Sequence, residues 1–144
     1  MSLEQPSASE NYQALVDRLY EQSDYDFVGI AIRARQSPHQ NRWEYVAGNT
    51  NQRYRRIVLR NGIGIAGYVL QSGLPFLNNA TLELDFRDQM YCPIARVEKL
   101  TNVVAIPLTC PPLQAVHGVL LAGYRDRRCL VSEADVQRLS QSLN

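Results

Sequence analysis

Three glycines at fixed spacing, Gly62, Gly64 and Gly67, follow an apolar segment and precede residues that favour a short helix. Glycine accepts the positive φ angles that a tight strand-to-helix turn needs. A helix that begins near Ile65 leaves its first backbone N–H groups without intrahelical acceptors, and the helix dipole adds positive potential there. The turn therefore predicts a site for a small anion, with the amides of Ile65 and Ala66 as donors and no charged side chain required.

The same spacing matches the G-x-G-x-x-G fingerprint of dinucleotide-binding proteins. That fingerprint requires a parallel βαβ unit, whereas the strands of this chain are predicted to follow one another in hairpins. The segment after the turn, which contains Tyr68, also predicts a helix much shorter than the one in that fold. We therefore interpret the turn as a strand-to-helix connection and not as a dinucleotide-binding loop.

Other residues that could carry chemistry are few and dispersed. Trp43 is the only tryptophan, and its indole N–H needs an acceptor when buried, which suits either packing on a sheet or a ligand wall. His39 and His117 stand alone, so neither a metal site nor a haem ligand set is predicted. Cys92 precedes Pro93 without a neighbouring base, which favours packing or pocket lining over nucleophilic catalysis.

The composition is that of an ordinary globular protein. The chain has 144 residues, of which 45% are hydrophobic and 20% charged, and its formal net charge is +1. We expect no membrane span and no secretory signal. The odd number of cysteines, at irregular spacings, predicts free thiols in a reducing compartment, hence a cytoplasmic location, and no cofactor or metal is predicted. The cysteines are Cys92, Cys110 and Cys129.

Arginines occur in two clusters, although acidic residues elsewhere balance them. Because a nucleic-acid-binding protein usually has a clearer basic excess, we expect solvated or partner-facing surfaces and no binding to nucleic acid. The clusters are Arg53, Arg55, Arg56 and Arg60, and Arg125, Arg127 and Arg128.

Periodicity and turn signals predict an α+β fold, in which an antiparallel sheet is built from hairpins and the terminal helices pack on one face. The predicted strands are 27–32, 43–47, 54–60, 74–77, 103–108 and 116–124, and the predicted helices are 8–23, 66–71, 92–99 and 132–143. Capping-box spacing marks the first and last helices, at Ser7 with Glu10 and at Ser132 with Asp135. Turns are expected at 37–41 and 109–114. Residues 1–9 are expected to form a flexible tail, and 10–144 a single domain.

Four motifs resemble, in order, those of GAF domains, and the resemblance covers about residues 10–143. It implies a GAF/PAS-like fold and a sensor module that binds a small ligand or dimerises, without specifying the ligand. The motifs are the glycine turn with the following valine (60–69), G-x-P (73–75), A-x-P-L (105–108) and G-V-L (118–120).

A narrower resemblance involves residues 43–51 and 54–60, which are similar to the stand-alone GAF nitrate receptors of the NreA type. Those receptors bind nitrate in a closed pocket and restrain a cytosolic oxygen-sensing histidine kinase. The resemblance implies that this chain is a non-catalytic nitrate receptor in two-component signal transduction. A sensor histidine kinase is the expected partner, and a homodimer is a further expectation.

In that family the pocket uses the tryptophan of the second strand, amides at the start of the helix after the glycine turn, and an amide and an aromatic residue on a later loop. Carried over, these roles fall on Trp43, on Ile65 with Ala66, and on Ile94. The family's tyrosine falls on Cys92 here, with Tyr91 one residue earlier as its replacement. The expected ligand-binding residues are Trp43, Gly64, Ile65, Ala66, Gly67, Tyr91, Cys92, Pro93 and Ile94.

Two alternatives stay open at this point. A GAF-fold free methionine sulfoxide reductase would need cysteines around the glycine turn, where this chain has Ile65 and Ala66. A GAF module without a functional pocket could dimerise through its terminal helices, 8–23 and 132–143. Nitrite, chloride and acetate are alternative anions for the predicted site.

Overall fold

One antiparallel sheet organises the chain in the computed structural model, which describes residues 8–33, 40–110 and 115–143. The strands are β1 (Phe27–Arg33), β2 (Asn41–Ala47), β3 (Val58–Leu59), β4 (Phe76–Asn78), β5 (Asn102–Cys110) and β6 (Ala115–Tyr124). The helices are α1 (Ala8–Gln22), α2 (Gly64–Ser72), α3 (Pro93–Glu98) and α4 (Glu133–Ser142). The sheet order is β3-β2-β1-β6-β5-β4, so the predicted α+β class is confirmed.

The two predicted hairpins, β1–β2 and β5–β6, form the centre of the sheet, and β1 pairs with β6 to join them. The middle of each central strand is buried on both faces, because helices cover both sides of the sheet. Of the turns expected at 37–41 and 109–114, residues 37–39 and 111–114 lie outside the described residues, whereas Asn41, Thr109 and Cys110 are strand residues because the hairpin pairing extends to them. Among the described helices, none has the length and hydropathy needed to cross a bilayer.

Helices divide the apolar interior into two cores. The terminal helices α1 and α4 pack together on one face of the sheet, as predicted, over a core that includes Val16 and Leu139. The short helices α2 and α3 cover the other face, over a core that includes Ile65 and Leu121. The glycine turn therefore belongs to the core opposite the terminal helices.

Local signals at helix ends act as the sequence predicts wherever they are described. Ser132 Oγ accepts a hydrogen bond from Ala134 N at 3.2 Å, and the Asp135 carboxylate accepts one from Ser132 N at 2.8 Å, which completes the capping box of α4. Gly73, at φ +71°, ends α2. The box expected at the start of α1 involves Ser7, which is outside the described residues.

The prediction of an extended segment over 54–60 is wrong for the first half of that segment. Arg53–Arg56 forms a 3₁₀ turn, and only Val58–Leu59 is strand. The Asn51 side chain accepts a hydrogen bond from Arg53 N at 2.8 Å, a local contact that favours a turn over a strand. The second half is confirmed, since Ile57 and Leu59 both pack on the core under α2.

Arg125, just after β6, joins three other parts of the chain. Its guanidinium donates to Glu98 Oε1 at 2.7 Å, to Glu98 O at 2.8 Å, to Gly48 O at 3.1 Å and to Asp26 O at 3.2 Å. Glu98 is fully buried, and Oε1 also accepts from Thr50 N at 2.8 Å and Thr50 Oγ at 3.0 Å. This network fixes the end of α3 against the start of β1 and the end of β2.

Replacement of Arg125 by glutamine is expected to destabilise the fold by about 3 kcal/mol, because the Glu98 carboxylate would stay buried without its counter-charge. Urea unfolding followed by circular dichroism measures the change. Arg128 is the matched control, because its pair with Asp126 at 3.0 Å is exposed. The midpoint of Arg128→Gln should be unchanged, and equal midpoints for the two variants would contradict the assigned role of Arg125.

Candidate functional site

A β-bulge decides which face of the sheet carries Trp43. In the β1–β2 register, Ile30 lies opposite Tyr45 and Ala31 lies opposite Trp43, so Glu44 is an extra residue in β2. Strict alternation would place Trp43 and Tyr45 on the same face. With the bulge, Tyr45 packs on the core under the terminal helices, whereas Trp43 belongs to the core under α2.

The glycine turn is held by close backbone packing. Gly62 and Gly64 have φ angles of +82° and +76°, which residues other than glycine rarely adopt. A Cβ on Gly64 would lie 2.4 Å from Tyr91 O, and a Cβ on Gly67 would lie 2.1 Å from Arg60 O. The turn therefore packs directly against the loop that precedes α3, which brings both parts of the predicted site together.

The start of α2 presents unpaired amides. No side chain caps this end of the helix. Gly64 N donates to Gln89 O at 2.7 Å, but the hydrogen bonds of the described residues provide no acceptor for Ile65 N or Ala66 N. Because these amides lie in the first turn, intrahelical bonding cannot pair them, and the helix dipole makes their surroundings positive.

All nine residues expected from the sequence line one cavity of about 100 Å³. They are Trp43, Gly64, Ile65, Ala66, Gly67, Tyr91, Cys92, Pro93 and Ile94. Since a water molecule occupies about 30 Å³ in the liquid, this space suits a molecule of a few non-hydrogen atoms.

Sequence reasoning missed one wall of this cavity, which the segment around β3 provides. The available signal was the alternation of Ile57 and Leu59, which predicts an inward face but not what that face covers. The additional lining residues are Ile57, Val58, Leu59, Arg60 and Ile63.

Trp43, on β2, is a lining residue of the cavity that has a hydrogen-bond donor. The residue is 2% exposed, and its indole Nε1 has no partner within the described part of the chain. A buried donor without an acceptor costs about 1–3 kcal/mol. Because Trp43 lines the cavity, an acceptor bound there is the natural partner for this N–H.

The cavity is poor in groups for acid–base or nucleophilic chemistry. Its described lining contains neither a carboxylate nor an imidazole. Burial raises the pKa of the Cys92 thiol to about 11, although the amides of Ala95 and Ile94 partly oppose the shift. Cys92 is therefore a neutral thiol near pH 7 and a poor nucleophile.

The remaining candidate residues lie elsewhere. His117 is on β6, where its Nε2 and the Tyr12 hydroxyl are hydrogen-bonded at 2.6 Å, and burial lowers the pKa of its imidazole. His39 lies outside the described residues. Among the residues described, no three of His, Cys, Asp or Glu form a group that could hold a metal ion.

The fold is shared with solved proteins, although no protein-family model and no curated protein matches the chain. A hypothetical protein, SA1058 from S. aureus, is 36% identical, with 85% of this chain and 98% of that chain covered and a TM-score of 0.73. An NreA protein from Staphylococcus aureus, described as mutated in its nitrate binding site, is also 36% identical, with 85% and 89% covered and a TM-score of 0.74.

More distant matches share the fold alone. The GAF domain of a phosphoenolpyruvate-protein phosphotransferase from Acinetobacter is 15% identical, with 96% of this chain and 80% of that chain covered and a TM-score of 0.73. A free methionine-R-sulfoxide reductase from Thermoplasma acidophilum is likewise 15% identical, with 95% and 87% covered and a TM-score of 0.73. With this shared GAF fold, and with 36% identity to staphylococcal NreA, the chain belongs to the NreA family.

Proposed function

We propose that this chain is a cytoplasmic receptor for nitrate, or for a monovalent anion of similar shape, and that it modulates a partner sensor histidine kinase without catalysing a reaction. The observation that carries the proposal is Trp43, which lines a small cavity and whose buried indole N–H has no partner among the described residues. A relative at 36% identity is described as having a nitrate binding site, which supports the same ligand here.

The donor set suits a weakly hydrated anion. Ile65 N, Ala66 N and the Trp43 indole each supply a neutral N–H, and most of the lining residues around them are apolar. No carboxylate in the described lining would repel an anion. We propose that Ile94 N, in the first turn of α3, is a further donor, as the family resemblance implies. Nitrite, chloride and acetate are the expected competitors.

The replacement of the family's tyrosine by Cys92 leaves less polarity on the α3 side of the cavity. Cys92 is buried, and Tyr91 beside it lines the cavity, with its ring centre 5.9 Å from the Arg96 guanidinium carbon. We propose that Tyr91 provides the aromatic wall and that the backbone amides and the Trp43 indole N–H determine the choice of anion.

Trp43→Phe should weaken nitrate binding by about tenfold, because it removes a hydrogen bond to a charged ligand and keeps an aromatic ring in the wall. Isothermal titration with nitrate gives the affinity, and thermal unfolding without nitrate shows whether the fold is intact. Tyr45→Phe is the matched control, since Tyr45 packs on the opposite core. Unchanged affinity of Trp43→Phe would remove Trp43 from the site, and no heat or thermal shift with wild type at millimolar nitrate would refute the proposal.

Cys92 should resist alkylation in the folded protein, because its thiol is buried and its pKa is raised to about 11. Iodoacetamide labelling near pH 7, read by peptide mass spectrometry, should modify the half-buried Cys129 well before Cys92. Labelling of Cys92 should accelerate as pH rises toward its pKa, since only the thiolate reacts. Fast labelling of Cys92 at neutral pH, with thiol-dependent reduction of free methionine sulfoxide, would instead favour the reductase alternative.

A further inference from the structure

The two arginine clusters of the sequence differ in the structure. In the second cluster, Arg125 pairs with buried Glu98 at 2.7 Å and Arg128 pairs with Asp126 at 3.0 Å, so most of its charge is neutralised. The first cluster has exposed side chains and no ion pair to any described residue. Its members are Arg53, Arg55, Arg56 and Arg60.

Exposed apolar side chains lie within the same segment. Val58 is 37% exposed and lies two residues after Arg56, and Ile63 is 60% exposed and lies three residues after Arg60. We call residues 53–63 the arginine surface. Arginine is enriched and lysine depleted in the central part of protein–protein interfaces, and burial of exposed aliphatic side chains under a partner is favourable.

The chemistry of the arginine surface favours a protein over a nucleic acid. Binding to single-stranded nucleic acid usually needs exposed aromatic rings on which bases stack, and the aromatic residue of this segment, Tyr54, is buried. Two exposed aliphatic side chains would be left against a phosphate backbone without a matching apolar contact. A protein that presents acidic side chains around an apolar one matches both features.

The arginine surface is also one wall of the cavity. Arg60, Val58 and Ile63 line the cavity, and Ile63 N donates to Arg60 O at 3.1 Å. Behind them, Gly62 N donates to Gly67 O at 2.9 Å, which ties this wall to the first turn of α2. An anion bound to the amides of that turn therefore contacts the inner side of a surface whose outer side faces solvent.

We propose that the arginine surface is the docking site for an acidic face of a partner protein, and that occupancy of the cavity changes the affinity for that partner. The regulatory half rests on the proposed function as an anion receptor, whereas the docking half rests on the charge and exposure of residues 53–63. Binding energies at the two sites are then coupled, so the partner also changes the affinity for the anion by the same factor.

Site-specific photocrosslinking identifies the partner. Benzoylphenylalanine placed at Asn61, which is exposed within the surface and is not a lining residue of the cavity, should crosslink one protein in cells of the source organism through a segment rich in Asp or Glu. The same group at Leu130, which is 66% exposed outside the arginine surface, is the control and should not capture that protein. Crosslinks from Asn61 only to nucleic acid, only to a second copy of this chain, or to nothing would overturn the proposal.

The identified protein is then purified and titrated against matched charge variants. Arg53→Gln with Arg56→Gln should weaken its binding about tenfold or more and reduce its salt dependence, whereas Arg127→Gln with Arg138→Gln, an equal change in charge elsewhere, should change it less than about twofold. Equal losses in the two double variants would show a non-specific charge effect and overturn the docking site.

Measurements with and without nitrate test the docking site and its coupling to the cavity separately. Both double variants should bind nitrate as wild type does, and millimolar nitrate should change the affinity of wild type for the partner severalfold. If nitrate binds and the affinity for the partner stays constant, the coupling is wrong. If nitrate does not bind while the arginine-dependent interaction persists, the proposed receptor function fails and the docking site stands.

Discussion

The Arg125 guanidinium is the contact on which the arrangement of the site depends. It binds the buried Glu98 carboxylate at the end of α3 and, with the same group, the carbonyls of Asp26 and Gly48 at the ends of two strands. Since α3 has only six residues, about 9 Å in length, fixing Glu98 also fixes Ile94 at the other end. One wall of the cavity is therefore positioned by an ion pair that makes no contact with it.

The main chain supplies part of the polarity of the cavity. Gly64 lacks the Cβ that would lie 2.4 Å from Tyr91 O, and this close approach places the loop before α3 against the start of α2. Amides held in this way depend on backbone geometry more than on side-chain identity. A change of side chain at the position of Cys92 therefore leaves the unpaired amides at the start of α2 in place.

Sequence periodicity predicts most of the fold because the relevant interactions are local. The β1–β2 and β5–β6 hairpins and the capping box of α4 follow from alternation, turn residues and side chains a few positions apart. The 3₁₀ turn at Arg53–Arg56 was missed, because a hydrogen bond from its backbone to Asn51 outweighs the extended preference of the segment. The wall around β3 was missed for a different reason, because the alternation of Ile57 and Leu59 does not indicate what their inward face covers.

The sequence by itself predicted the unpaired amides of the candidate site, because the spacing of Gly62, Gly64 and Gly67 indicates a turn that opens a helix, and such a helix start leaves amides unpaired. The family resemblance led us to expect Trp43 beside those amides, but only the tertiary structure gives the physical reason. The bulge at Glu44 reverses the face on which Trp43 lies, and it arises from pairing between β1 and β2. Only the fold also distinguished the two arginine clusters, because the partner of Arg125 is a carboxylate 27 residues away in the chain, which no local pattern indicates.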